Sequence, residues 1–487
     1  MRDGTYWAEK LRSKEISFQE LLAAIEEKAQ KQNPVLNAFV ATMEQDAVAE
    51  YQEQKEVLIR PFAGLPIPLK MLGQEKKDWL STSGSRLFLE NHAKQTSDYT
   101  QQLIKNGLIP FAQTNTPEFG FKNISDAKIY GPARNPWNLD YFSGGSSGGA
   151  ASAVAAGIVP IAGASDGGGS IRIPASFCGL IGLKPSRGTM PVGPNGMRGW
   201  QGASIDFALT VSMRDTEKLF YGMRGIDTSA PYQATQNEWQ HKQAAQQTKL
   251  KIAVLIESPI GSKVSPEAAS AVEKASDFLV NQGHEIQLIS YPFDGKQLIS
   301  SYYLMNGAET AAMFAGIEKG LKRPAEKHDM ELMTWGIYQY GKKIPASHYI
   351  NALNFWDTVT MRMENVFREY DLLLTPTAAT AAPKIIEDLQ SDEIRDGLEV
   401  AANLSEKELA SLVDRMFDKS LQITPYTQLA NLTGQPAISL PTYVTKKGLP
   451  LGIQFMAARG REDLLFQVGK LFETEYGFQL PEYYRES

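Results

Sequence analysis

Residues 144–172 read GGSSGGAASAVAAGIVPIAGASDGGGSIR. Two serines in this stretch, Ser146 and Ser170, stand beside glycines and are joined by small side chains. Glycine lets a backbone approach a ligand closely and adopt positive φ without a steric penalty. It also leaves consecutive N–H groups free to converge on one anion. Two such loops so near in sequence predict a pair of catalytic hydroxyls. The small-residue segment between them predicts a short, tightly packed helix over Ser147–Ala156. A central strand over Ile158–Ala164 then delivers Asp166 and the second glycine run.

The rest of the chain reads as an α/β protein. Ser17-Phe-Gln-Glu20 is a capping-box pattern opening a helix towards Lys31. Phe62–Leu72 is apolar and broken by prolines, as in a buried strand or strand end. A helix near Asp98–Asn106 leads to a strand at Leu108–Ala112 and a turn-rich Thr114–Gly120. Lys251–Ile256, Pro266–Gln282 and Glu285–Ser290 follow in βαβ-like order. Residues 300–370 read as mainly helical, Asp371–Leu374 as a buried strand, and Gln435–Pro441 and Leu451–Met456 as late strands. Residues 225–250 read as an exposed connection. No internal repeat and no linker divides the chain, so one elaborated α/β domain over residues 1–487 is expected.

Bulk properties bound the function. With 487 residues, one large or two ordinary domains fit. The content of 43% hydrophobic and 21% charged residues is that of a soluble globular protein. A formal net charge of −6 argues against general binding to nucleic acid or to acidic membranes. The single cysteine, Cys178, excludes an intramolecular disulfide framework and fits a reducing cytosol. MRDGTYWAEKLRSKE at the N-terminus has no apolar h-region, so no signal peptide and a cytoplasmic location are expected. Tyr141–Ser165 carries no charge, but its Gly, Ser and Ala content and Pro160 predict a buried segment, not a membrane span.

In Asp166-Gly-Gly-Gly-Ser170, three glycines precede a hydroxyl, a pattern suited to an oxyanion hole around a nucleophile. A tightly packed turn is the other reading of the same residues. A serine nucleophile needs a base. The five histidines, His92, His241, His284, His328 and His348, sit in no recognisable motif, and none shows metal-ligand spacing. Lysine serves as a base when burial holds it neutral, and Lys70 is the lysine most clearly embedded in an apolar run, Ile67-Pro-Leu-Lys-Met-Leu72. A lysine snorkelling from a strand end is the simpler account of it. Gly144-Gly-Ser-Ser-Gly148 also matches GxSxG, the nucleophile elbow of α/β-hydrolases, which would require a histidine near Ser146.

Together these pieces resemble the amidase signature family. The matching blocks are Gly64-Leu-Pro-Ile-Pro-Leu-Lys70, Thr114-Asn-Thr-Pro-Glu-Phe-Gly120, Asn135-Pro-Trp137, Gly144–Gly149 and Asp166-Gly-Gly-Gly-Ser-Ile-Arg-Ile-Pro174. Phe177–Ser186, Ala430–Ser439 and Leu449–Gln454 fit as well. The likeness is dense over about 60–215 and 420–475 and weak over the helical 300–370 region. It implies a central mixed sheet flanked by helices on both faces, and an amidase acting on linear amides through a Ser–cisSer–Lys triad and an acyl-enzyme intermediate. Ser170 is then the nucleophile, Ser146 the bridging serine after a cis peptide, and Lys70 the neutral base. Gly167, Gly168, Gly169 and the Ser170 amide hold the oxyanion, and Gly120 contacts substrate.

Ser147 and Asp166 are supporting residues in this scheme. Arg172 binds a substrate carboxylate or, preferably, forms a structural ion pair. No cofactor and no metal are required. The partner is a small-molecule amide, with no direct nucleic-acid or membrane contact; a homodimer is compatible with the sequence.

There are departures from the family pattern. Met71 follows the lysine where many members have Asp, which leaves the polar surroundings of Lys70 undefined. Gly167 stands where many have Thr, Ile or Asn. DGGGSIRIPAS with GLKPSRG is closer to the branch containing 6-aminohexanoate cyclic-dimer hydrolase and broad amidases. It is less like the A subunit of glutamyl-tRNA(Gln)/aspartyl-tRNA(Asn) amidotransferase, the alternative, which would release ammonia from glutamine. Phe119, Phe121, Tyr130, Trp335 and Tyr338 suggest either an aromatic-lined pocket or ordinary core packing.

Overall fold

Strand Leu65–Lys70 is buried along its whole length, as its apolar sequence predicts. The computed structural model in which it is seen describes residues 1–225, 227–234 and 249–485. Most of the connection expected over 225–250 lies outside these residues, as does His241. The strand runs parallel to Leu108–Thr114, which pairs antiparallel with Phe39–Thr42 in a three-stranded sheet.

A larger sheet of eight strands carries the rest of the fold. Its spatial order is Glu285–Leu288, Lys251–Val254, Leu372–Pro376, Pro450–Met456, Ala437–Val444, Ile181–Lys184, Ile205–Thr210 and Ala162–Asp166. The first three are parallel and the remaining pairings antiparallel, so the sheet is mixed.

Alternation along the inner strands shows two covered faces. Ile252, Val254, Leu374, Ile438 and Phe455 join one hydrophobic core. Their chain neighbours Ala253, Leu255, Leu373, Ala437 and Met456 join another. Successive side chains of a strand point to opposite faces, so each core covers one side of the sheet. Each fully buried Leu, Ile or Phe stabilises by about 1.5–3 kcal/mol. The first core takes in the helix Phe18–Leu36, whose capping box is formed as the sequence predicts. Glu20 N–H donates to Ser17 Oγ, and Ser17 N–H donates to the Glu20 carboxylate. The second core is built on helices Gly295–Leu321, Leu332–Gly341 and Ala346–Glu369, which account for the helical reading of 300–370, together with Glu406–Ile423. Among the described residues, no helix is long and apolar enough to cross a membrane.

One element departs from expectation. The strand expected over Ile158–Ala164 in the middle of the sheet runs instead over Ala162–Asp166 and is the last of the eight. Pro160 has no N–H to give a ladder, which delays the strand. Its free side meets strand Leu65–Lys70 of the smaller sheet, where a Cβ on Gly163 would lie 3.3 Å from the Pro68 carbonyl oxygen. This seam between the two sheets holds the site.

Candidate active site

Lys70 ends its strand at the seam and is 1% exposed. Its Nζ lies 2.8 Å from Ser146 Oγ and 2.8 Å from Ser165 Oγ. Burial pulls its pKa down to about 7, against the opposing fields of Asp206 and Asp166. Near neutral pH a substantial fraction is therefore uncharged, and an uncharged amine can accept the Ser146 hydroxyl proton across the same contact. The polar surroundings that Met71 left undefined come from Ser165, Gln74 and Asp206. Sequence reading missed all three: Gln74 follows the lysine by four positions but in no motif, and Ser165 and Asp206 come to it only where the two sheets meet.

The Gly145–Ser146 peptide is cis. Ser125 Oγ donates to the Ser146 carbonyl at 3.1 Å and accepts the Gly148 N–H at 2.9 Å, fixing the turn into the helix Gly148–Ala155. That helix is buried throughout, because its small side chains permit close approach. A Cβ on Gly149 would fall 2.3 Å from Asn115 N. Ser147 Oγ donates to the Ser165 carbonyl and accepts the Ser165 N–H, both at 3.3 Å, so it aligns the backbone of a residue that contacts Lys70. Gly120 has a φ of +72°, and a Cβ there would lie 3.3 Å from Ser146 Oγ.

Asp166 organises the glycine run. Its carboxylate accepts the N–H of Gly169 at 2.7 Å, of Ile171 at 3.1 Å and of Arg172 at 3.4 Å. The Gly169 amide is thereby engaged and turned to Asp166, unlike its expected place among the oxyanion donors. Among the described residues, the N–H groups of Gly167, Gly168 and Ser170 have no acceptor. Gly169 matters instead for its shape: φ is +124°, and a Cβ would fall 2.2 Å from Thr427 Oγ1. Ser170 is 6% exposed. A Cβ on Gly167 would lie 2.8 Å from the Trp200 ring, and one on Gly168 would lie 2.5 Å from the Tyr302 hydroxyl. Trp200 stacks on Phe121 with ring centroids 6.1 Å apart.

Arg172 is fully buried, and all five of its N–H donors are engaged. Two go to Asp166, the others to the Thr427 carbonyl, Gln454 Oε1 and Asn431 Oδ1. Beside the Arg172 guanidinium, the Asp166 carboxyl is held well below the usual range. No donor remains for a substrate carboxylate, so the ion pair is structural. Asn431 and Gln454 lie in the matching blocks Ala430–Ser439 and Leu449–Gln454, whereas Thr427 carries no local signal; the return of the late strands and their adjoining helix places all three here.

The histidines lie elsewhere. His92 bonds the Glu90 carbonyl, His284 accepts the Leu250 N–H, His328 stands beside Glu326, and His348 beside Glu406. Among the described residues none reaches Ser146, and no cluster could hold a metal ion. Phe119, Trp335 and Tyr338 belong to the second core, whereas Tyr130 bonds Thr82.

An α/β fold with a buried lysine on a serine hydroxyl, and a second serine on a glycine-rich loop, is an arrangement suited to serine-based acyl transfer. The sequence model of the Amidase family matches residues 20–466, and the chain belongs to that family. It is 40% identical over 475 residues to the lipoamidase of Enterococcus faecalis, covering 97% of this chain and 63% of that protein. The chain thus spans less than two thirds of the length of that relative. It is 31% identical over 482 residues to 6-aminohexanoate-cyclic-dimer hydrolase of Paenarthrobacter ureafaciens, covering 97% of this chain and 94% of that protein. The solved structure of 6-aminohexanoate cyclic dimer hydrolase complexed with substrate matches with a TM-score of 0.88 at 29% identity, over 99% of this chain and 98% of that one. The branch suggested by DGGGSIRIPAS is represented among these relatives.

Proposed function

We propose that this chain hydrolyses a small linear carboxamide through an acyl-serine intermediate on Ser170. Neutral Lys70 draws the proton of Ser146, which draws that of Ser170, and Ser170 Oγ attacks the amide carbon. The N–H groups of Gly167, Gly168 and Ser170 hold the oxyanion, each donor contributing about 2.7–4 kcal/mol. Collapse breaks the C–N bond, and the leaving amine takes a proton from Ser146, which is reprotonated by Lys70. Water then attacks the acyl-serine, giving its proton along the same path, and the acid is released with the enzyme restored. No cofactor enters, and a cytoplasmic, free-standing enzyme fits the scheme.

The observation that carries this reading is the 2.8 Å contact between Lys70 Nζ and Ser146 Oγ, in a setting that favours the neutral amine. The test is turnover of an amide panel by wild type and Ser170→Ala. Lipoamide and the 6-aminohexanoate cyclic dimer, after the relatives' names, stand beside simple linear amides and glutamine. Turnover of one or more amides, lost in Ser170→Ala, is expected. Turnover confined to glutamine would favour the amidotransferase-subunit alternative.

A further inference from the structure

Asp206 pairs in register with Ser165 across the strands Ala162–Asp166 and Ile205–Thr210. Directly opposed residues share a face of the sheet, with Cβ atoms about 4.5–5.5 Å apart. Ser165 Oγ meets Lys70 Nζ on that face, so the Asp206 carboxylate stands on the side from which Lys70 approaches. Gln74 ties the group together. Its Oε1 accepts the Lys70 N–H at 2.9 Å, while its Nε2 donates to the Ala164 carbonyl at 2.9 Å and to Asp206 Oδ1 at 3.3 Å.

Two carboxylates act on Lys70, and they differ in one respect. Asp166 is neutralised by Arg172. Among the described residues Asp206 forms no ion pair, and its one side-chain hydrogen bond comes from the neutral Gln74 amide. The Asp206 carboxylate is half-buried and is thus the one of the two whose charge no neighbouring cation among the described residues offsets. Asp206 also borders a cavity of about 190 Å³, whose other titratable groups are Glu75, Tyr99, Arg187, Arg198 and Tyr232. Solvent can therefore reach the carboxylate.

The geometry points to Asp206 as the positioning residue that, clamped by Gln74, sets the proton affinity of Lys70. This inference rests on Lys70 being the base. An ionised Asp206 stabilises the ammonium formed when Lys70 takes the Ser146 proton, keeping the amine a strong enough base despite burial. Burial raises the carboxyl of Asp206 itself to about 6, so it remains mostly ionised at neutral pH.

The experiment is the pH profile of kcat/KM between about pH 5 and pH 9 for wild type, Asp206→Asn, Asp206→Glu and Lys70→Met, using an amide that the wild type turns over. In wild type, activity rises with pH as Lys70 loses its proton. Removing the carboxylate charge makes Lys70 release its proton sooner, so in Asp206→Asn the rise moves to lower pH by about one unit. Asp206→Glu keeps the wild-type position. A purely structural Asp206 would lower the rate at every pH and leave the rise in place, and that result overturns the inference. Where Asp206→Asn does not fold, Gln74→Leu releases the clamp without changing charge, and the rise again moves to lower pH; an unmoved rise is contrary. Lys70→Met with wild-type activity would instead overturn the base assignment itself.

Discussion

Asp166 and Arg172 form a fully buried ion pair, with Arg172 Nη2 2.9 Å from Asp166 Oδ1, and the same carboxylate shapes the loop that carries Ser170. Breaking a buried pair by removing one partner costs about 3–5 kcal/mol. Arg172→Met is therefore expected to lower stability by about that amount in urea titration, with loss of turnover from a distorted loop. Unchanged stability with a raised KM only for carboxylate-bearing amides would instead return Arg172 to substrate binding.

Gly167 is limited by a movable neighbour. Its Cβ would meet the Trp200 ring at 2.8 Å, a side chain and not backbone. Gly167→Ala is expected to lower kcat/KM by about tenfold to a hundredfold, within the range seen when one oxyanion donor is disturbed. Trp200→Ala in the same chain should recover most of that loss. At Gly169 the φ of +124° adds backbone strain to the clash with Thr427, so Gly169→Ala combined with Thr427→Gly should show no recovery. Steady-state kinetics on the single and double variants decides both.

Lys70 links activity to stability. Its pKa in the fold is about 7, against about 10.4 in an unfolded chain. Between those values the unfolded chain binds more protons, so stability rises with pH across that window. Lys70→Met should flatten this slope, raise stability at pH 7 by roughly 1–2 kcal/mol and lower turnover by about 10²–10⁴. Urea midpoints at several pH values, measured with and without the substitution, check the sign.

The four described histidines are bound up elsewhere, and none contacts the serines. Replacing all five histidines with Gln or Asn should leave kcat within about threefold, allowing for small surface effects on stability. A loss of several orders of magnitude would favour the nucleophile-elbow reading of Ser146.

Much of this was legible where the requirement is local. The glycine runs, the Ser17–Glu20 capping box and the helix of small residues each announce a backbone geometry within a few positions. Lys70 and both serines stood out because their neighbours are unusual for such side chains. Ser165, Gln74, Asp206 and Trp200 were not legible, since their roles depend on which strands lie side by side and on how the 187–204 segment returns over Gly167. The end position of strand Ala162–Asp166 was missed because an apolar run looks alike in the middle and at the edge of a sheet. Gly169 was misplaced among the donors because a sequence cannot show that Asp166 turns back onto its amide.

The most direct test of the triad is intact-protein mass spectrometry after exposure to a fluorophosphonate, comparing wild type, Ser170→Ala and Ser146→Ala. A single adduct on wild type, absent from Ser170→Ala and formed far more slowly on Ser146→Ala, is the expected result. An adduct that persists in Ser170→Ala and disappears in Ser146→Ala would contradict the account.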